Sequence, residues 1–142
     1  MSNLRGAVQA SFEILSLLNK PEFVDVRTFI EKNVKGHENL SAAVLYENII
    51  SNKELSNAVT VVLGVLEDAS IAIQVDYVDE EILFLSLSEM TKRVCRGLRG
   101  YIEQIRKHSN TPEYYIEVEK MVKEWENKRK LSDGESIACI NV

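Results

Sequence analysis

Apolar side chains recur along this chain at intervals of three and four, the spacing that lines one face of a helix. Leu4, Val8, Phe12, Leu15 and Leu18 mark a first helix, closed by Asn19-Lys20-Pro21. Pro21 then opens a second helix, at the position where its missing N–H is harmless. Phe23, Val26, Phe29, Ile30 and Val34 make the inner face of that helix, and Gly36 stops it. A shorter third helix is expected over 38–50, with Leu40, Val44 and the Ile49-Ile50 pair inward. Ser51-Asn52-Lys53-Glu54 reads as a capping box, in which Ser51 and Glu54 satisfy each other's free backbone donors.

Two patterns compete over residues 55–75. The β-branched run 58–66 and the alternation of Ile71, Ile73, Val75 and Tyr77 fit a hairpin. Leu55, Val59, Val62, Leu66, Ala69 and Ile73 instead trace one helical stripe, too long for a strand, so a single helix is the expectation. Gly64 inside it costs about 1 kcal/mol against alanine, and a close helix crossing is the expected compensation. A fifth helix starts at Asp79, a good N-cap, with Glu80 and Glu81 at the positive end of the dipole. Leu83, Leu87, Met90, Val94, Leu98, Tyr101 and Ile105 carry it to about His108. Thr111 caps and Pro112 opens the last helix, with Tyr115, Val118, Met121, Val122 and Trp125 inside. The expected fold is all-α: a compact bundle of five or six helices, one domain over 1–130, then a C-terminal tail over 131–142 that is extended or flexible.

Composition narrows the function classes. With 142 residues the chain is long enough to bury a core without disulfides or metal. Two prolines and six glycines are few for a fold of many short strands. Cys95 and Cys139 lie outside any zinc or redox spacing and fit a reducing compartment. No signal peptide and no run of about 18 apolar residues is present, so the expected setting is the cytoplasm, without a membrane. A net charge of −5 argues against nucleic acid as the partner.

The residues most able to carry a function lie on the outer face of the fifth helix. Lys92, Arg96, Arg99, Glu103 and Arg106 step by four, three, four and three, opposite the apolar stripe. With Arg93 and Lys107 nearby this is either an anion site, suited to arginine's planar fork, or a solvated face shared with Glu103. Ile82 and Leu85 make the start of the same helix apolar on a second face, which another helix of the bundle or a partner must cover. Glu67 stands in an apolar run and needs a cation or several donors if it is buried; an arginine of the fifth helix is the expected partner. His37 and His108 have no second ligand at metal spacing, Cys95 reads as packing, and Trp125 as a core anchor. No phosphate loop, nucleophile elbow or zinc-protease motif occurs, so no catalytic residue, metal or cofactor is assigned.

From about residue 19 to 129 the chain resembles the largely bacterial family known as domain of unknown function 4760. Val62-Leu63-Gly64-Val65-Leu66-Glu67, Val78-Asp79-Glu80-Glu81, Tyr101-Ile102-Glu103-Gln104-Ile105-Arg106 and Trp125 carry the likeness. The resemblance implies a helix over 55–75 and brings no activity. An asparagine typical of the family is replaced here by Gly64, and the N-terminal membrane helix of many members has no counterpart. The expectation is therefore a non-catalytic interaction protein that binds a protein partner or a second copy of itself. The alternative is a binding module for a phosphate-bearing ligand or nucleic acid, acting through the basic stripe.

Overall fold

The structure is a computed structural model that describes residues 4–33 and 41–140, with side chains over 5–32 and 41–128. Among the described residues it contains seven helices and no strand: α1 (Leu4–Leu17), α2 (Pro21–Asn33), α3 (Ala42–Ile50), α4 (Lys53–Gln74), α5 (Glu80–Gly97), α6 (Arg99–Ser109) and α7 (Ile116–Ile140). Val34, Gly36, His37 and Leu40 lie outside the described residues, as does the side chain of Cys139.

The segment where helix and hairpin compete is α4, helical throughout. Ala58, Val59, Val62, Leu63, Leu66 and Ala69 are buried along it. Full burial of a Val or Leu side chain contributes roughly 1.5–3 kcal/mol, several times the propensity cost of a β-branched residue. Helices α1, α2, α3 and α7 all pack on α4, which makes it the centre of the bundle. By length and composition α4 could also cross a membrane. Here its inner face is core, while Val61 and Ile71 stay exposed on the outer one.

The expected fifth helix is two helices, which raises the number to seven. Leu98 breaks it, closing α5 and opening α6 without a side-chain cap. Small residues flank the break because other helices come close there. An ideal Cβ on Gly97 would lie 2.7 Å from Ile30 Cγ2, and one on Gly100 would lie 2.9 Å from the Ala42 Cα. The close approach expected at Gly64 is absent, since nothing stands within 4 Å of its Cβ position.

Several elements are shifted in phase. Phe12 is 57% exposed, and α1 buries Ala10 and Ser11 in its place, while Leu18, just past the helix, is buried as expected. The cause is polar: Ser11 Oγ accepts the Asp79 N–H at 2.8 Å and donates to the Ala7 carbonyl, which turns this face inward. In α3 the inward pair is Leu45 and Ile49, not Val44 and Ile50. Ser41 caps α3, and Asn52 caps α4 by accepting the Leu55 N–H at 3.1 Å, so Ser51 ends α3 and forms no capping box with Glu54. Asp79 does cap α5, accepting from Ile82. Residues 112–115 are turn, so Thr111 and Pro112 do not open α7. Beyond Lys130 the chain is helical to Ile140 and not extended; a lone Gly134 is tolerated once a helix is propagating.

Candidate functional site

The basic stripe divides at the α5–α6 break. Lys92 and Arg96 leave α5, Arg99 leaves α6, and steps of four and three keep them on one side despite the interruption. That side faces α7. Together with Cys95 and Ile102 they line a groove of about 270 Å³, whose other wall is Glu119, Val122, Lys123 and Glu126. Four cations and two carboxylates therefore border the space, over an apolar floor of Cys95, Ile102 and Val122.

Lys92 is the unexpected member. It stands on a face that reads as solvated in the sequence, yet its side chain is only 10% exposed. The carboxylate paired with it, Glu89, is itself well exposed and 4.0 Å away, the outer limit of an ion pair. Burying a lysine stem is favourable while its ammonium tip stays within reach of solvent and of Glu89. Arg96 and Arg99 are exposed and, among the described residues, carry no ion pair. Cys95 lies half-buried between them, and burial pushes its thiol up to about 12, with Glu119 and Glu67 adding to the rise. It is a neutral, apolar surface at physiological pH rather than a nucleophile.

Arg106 does not join the groove. Its Nε donates to the Tyr114 carbonyl at 2.8 Å, and its guanidinium pairs with Glu119 at 3.0 Å. It fastens the turn between α6 and α7. Ile82 is half-buried, whereas Leu85 is 74% exposed, so the second apolar face of α5 is partly covered at Ile82 and open at Leu85.

Glu67 is half-buried and finds backbone amides instead of the expected arginine. Its Oε1 accepts the Val118 N–H at 2.7 Å. Burial lifts its carboxyl above the ordinary value, the Val118 and Glu117 amides pull it back, and Arg106 contributes least. Ser70, one turn on, donates to the Glu117 carbonyl at 2.6 Å, and Gln74 donates to the Glu117 carboxylate. Glu67, Ser70 and Gln74 thus hold the first turn of α7 from one face of α4. Trp125, fully buried, donates to Glu80 at 3.2 Å and meets the Phe84 ring edge-on. Among the described residues no cluster of His, Cys, Asp and Glu could hold a metal ion.

The α7 wall is what sequence reasoning missed. Its signal was present: Glu119, Lys123 and Glu126 step by four and three beside the inner face of Val118, Val122 and Trp125.

No curated protein and no solved structure matches the chain. The family model of domain of unknown function DUF4760 matches residues 2–125, taking in α1 and every element up to the buried Trp125, and the chain belongs to that family.

Proposed function

We propose that the protein is a non-catalytic binding module whose partner docks in the basic groove between α5, α6 and α7. The observation that carries this reading is Lys92: a lysine nine-tenths buried beside a groove, with only a marginal ion pair. A docked acidic group would give that ammonium a closer counter-charge than Glu89 does. The exposed Arg96 and Arg99 add bidentate donors, and arginine is enriched at interfaces. Support for a non-catalytic role comes from the two groups best placed for chemistry. Cys95 is held as a neutral thiol, and the Glu67 carboxylate is engaged with backbone amides. Glu119 and Glu126 oppose the cations across the groove, which weighs against a polyanion such as nucleic acid. A cytoplasmic setting accords with the free thiol of Cys95.

The test is capture of partners from the native host by wild type and by a Lys92→Met, Arg96→Gln, Arg99→Gln variant. Loss of a wild-type partner by the variant, with helicity intact, is the expected result. An unchanged partner set would defeat the groove.

Self-association is the second reading, favoured by Leu85, a large apolar side chain 74% exposed on the outer face of α5. Light scattering should then give a dimer mass that falls to the monomer's on Leu85→Lys.

A further inference from the structure

Resting on the groove as the docking surface, we infer that its occupant is the free C-terminus of a partner polypeptide ending in an apolar residue. The α-carboxylate would sit on Lys92 and Arg96, and the last side chain on Ile102 and Val122.

Three features of the groove converge on this chemistry. The first is charge. Lys92, Arg96, Arg99 and Lys123 are offset by Glu119 and Glu126, leaving a surplus of two positive charges. That surplus calls for an anion, and by charge alone a phosphate monoester at about −1.5 to −2 matches it at least as well as a single carboxylate, so the floor and the opposite wall decide between them. The second is the floor. Ile102 is almost fully buried, Val122 is half-buried and the Cys95 thiol is neutral, so the base of the groove offers apolar contact beside the cations. An inorganic ion would leave that floor wet. The third is the opposite wall. Glu119 uses an oxygen on Arg106, and Glu126 has no ion pair among the described residues. Carboxylates accept hydrogen bonds and do not donate them. They suit a ligand that carries N–H donors next to its own carboxylate, as the last peptide units of a chain do and a simple organic acid does not. The volume, about 270 Å³, admits one terminal residue and the backbone leading to it, below the range of drug-sized pockets. Capture of a terminal carboxylate is an established mode of peptide recognition where backbone amides form the cradle, and here side-chain cations would take their place.

The experiment titrates the full chain, by calorimetry or by amide chemical shifts, with acetyl-alanyl-alanyl-leucine. Its C-terminal amide, acetyl-alanyl-alanyl-serine, benzoate and inorganic phosphate serve as comparisons. The free-acid leucine peptide is expected to bind at least tenfold more tightly than each of the others and to shift residues of α5, α6 and α7 around Ile102 and Val122. Lys92→Met should weaken it at least tenfold. Arg96→Gln, a change at an exposed position, should weaken it severalfold without touching the fold. Acid and amide binding alike, or no peptide binding at millimolar concentration, would overturn the inference. Benzoate matching the peptide would make this a site for free organic acids, and phosphate matching it a plain anion site; either overturns the inference. In all four cases the groove itself is still judged separately, by partner capture with the triple variant.

Discussion

Three helical glycines share one backbone conformation and differ only in what surrounds them, so alanine at each is a direct test of the packing. At Gly64, inside the 22-residue α4, an added Cβ meets nothing within 4 Å. The gain is then the helix propensity alone, about 0.8–1 kcal/mol. For a chain of this length that is a rise of roughly 3–5 °C in Tm. At Gly100 the Cβ would stand 2.9 Å from the Ala42 Cα and 3.1 Å from its Cβ. Backbone cannot rotate away, so α3 must move off α6, and overpacking of this kind costs about 1–3 kcal/mol. Subtracting the propensity gain leaves a net loss of about 1 kcal/mol. Gly97 lies between the two, because its clash at 2.7 Å is with the Ile30 side chain, which can turn. Urea unfolding followed by far-UV circular dichroism orders the three variants. The expected order is Gly64→Ala above wild type, Gly97→Ala near or below it and Gly100→Ala lowest. A destabilised Gly64→Ala would show that something covers the outer face of α4 in solution. A neutral Gly100→Ala would show that α3 and α6 do not approach as described.

Further outcomes follow from the bonds between helices. Glu67→Ala should cost about 1 kcal/mol in urea unfolding, the typical effect of losing a helix cap, whereas Glu67→Gln keeps an oxygen for the Val118 N–H without the charge that burial opposes and should be at least as stable as wild type at neutral pH. Because burial raises the Glu67 carboxyl in the folded state, its contribution is full below the unfolded value near 4.5 and is lost as pH rises through the folded value. Stability profiles of wild type and Glu67→Gln should therefore converge at low pH and separate above that window; parallel profiles would refute the shift. Ser11→Ala leaves the Asp79 N–H without its acceptor at a buried contact and should lower stability by about 1–3 kcal/mol, read by thermal unfolding. Arg106→Ala frees the Tyr114 carbonyl and Glu119, and hydrogen exchange should rise in residues 110–116 with α4 unaffected.

The helices were legible in the sequence because burial repeats along them, and their phases were less so because single polar contacts set them. The stripe from Leu55 to Ile73 was long enough to identify α4 against its β-branched content. Phe12 looked like core because large apolar residues dominate a periodicity argument, while the Ser11 hydroxyl, bonded 68 residues away, decided which face turned in. The break at Leu98 carries no proline and no cap, so only the neighbours of Gly97 and Gly100 reveal it. For the groove, one wall was readable as the Lys92, Arg96 and Arg99 spacing. The other wall depends on how α7 lies against α5, a tertiary fact that local pattern does not encode. Glu67 stood out correctly as a carboxylate needing donors, but a fixed backbone amide cannot be inferred from residue types.

The attachment of α7 to α4 has a consequence for how the molecule assembles. Tyr115, just before α7, has φ of 61°, a left-handed conformation costly for an aromatic residue, and its side chain offers no oxygen to the amides that follow. The first turn of α7 is completed instead by Glu67, 51 residues upstream. A helix that begins this way cannot nucleate securely at its own start while the chain is still being made or is locally detached. Its ordering waits for α4 to dock, and once docked the two should melt as one cooperative unit. The Val118 amide is accordingly expected to be among the slowest to exchange in the protein, although it lies in the first turn, where helices ordinarily fray.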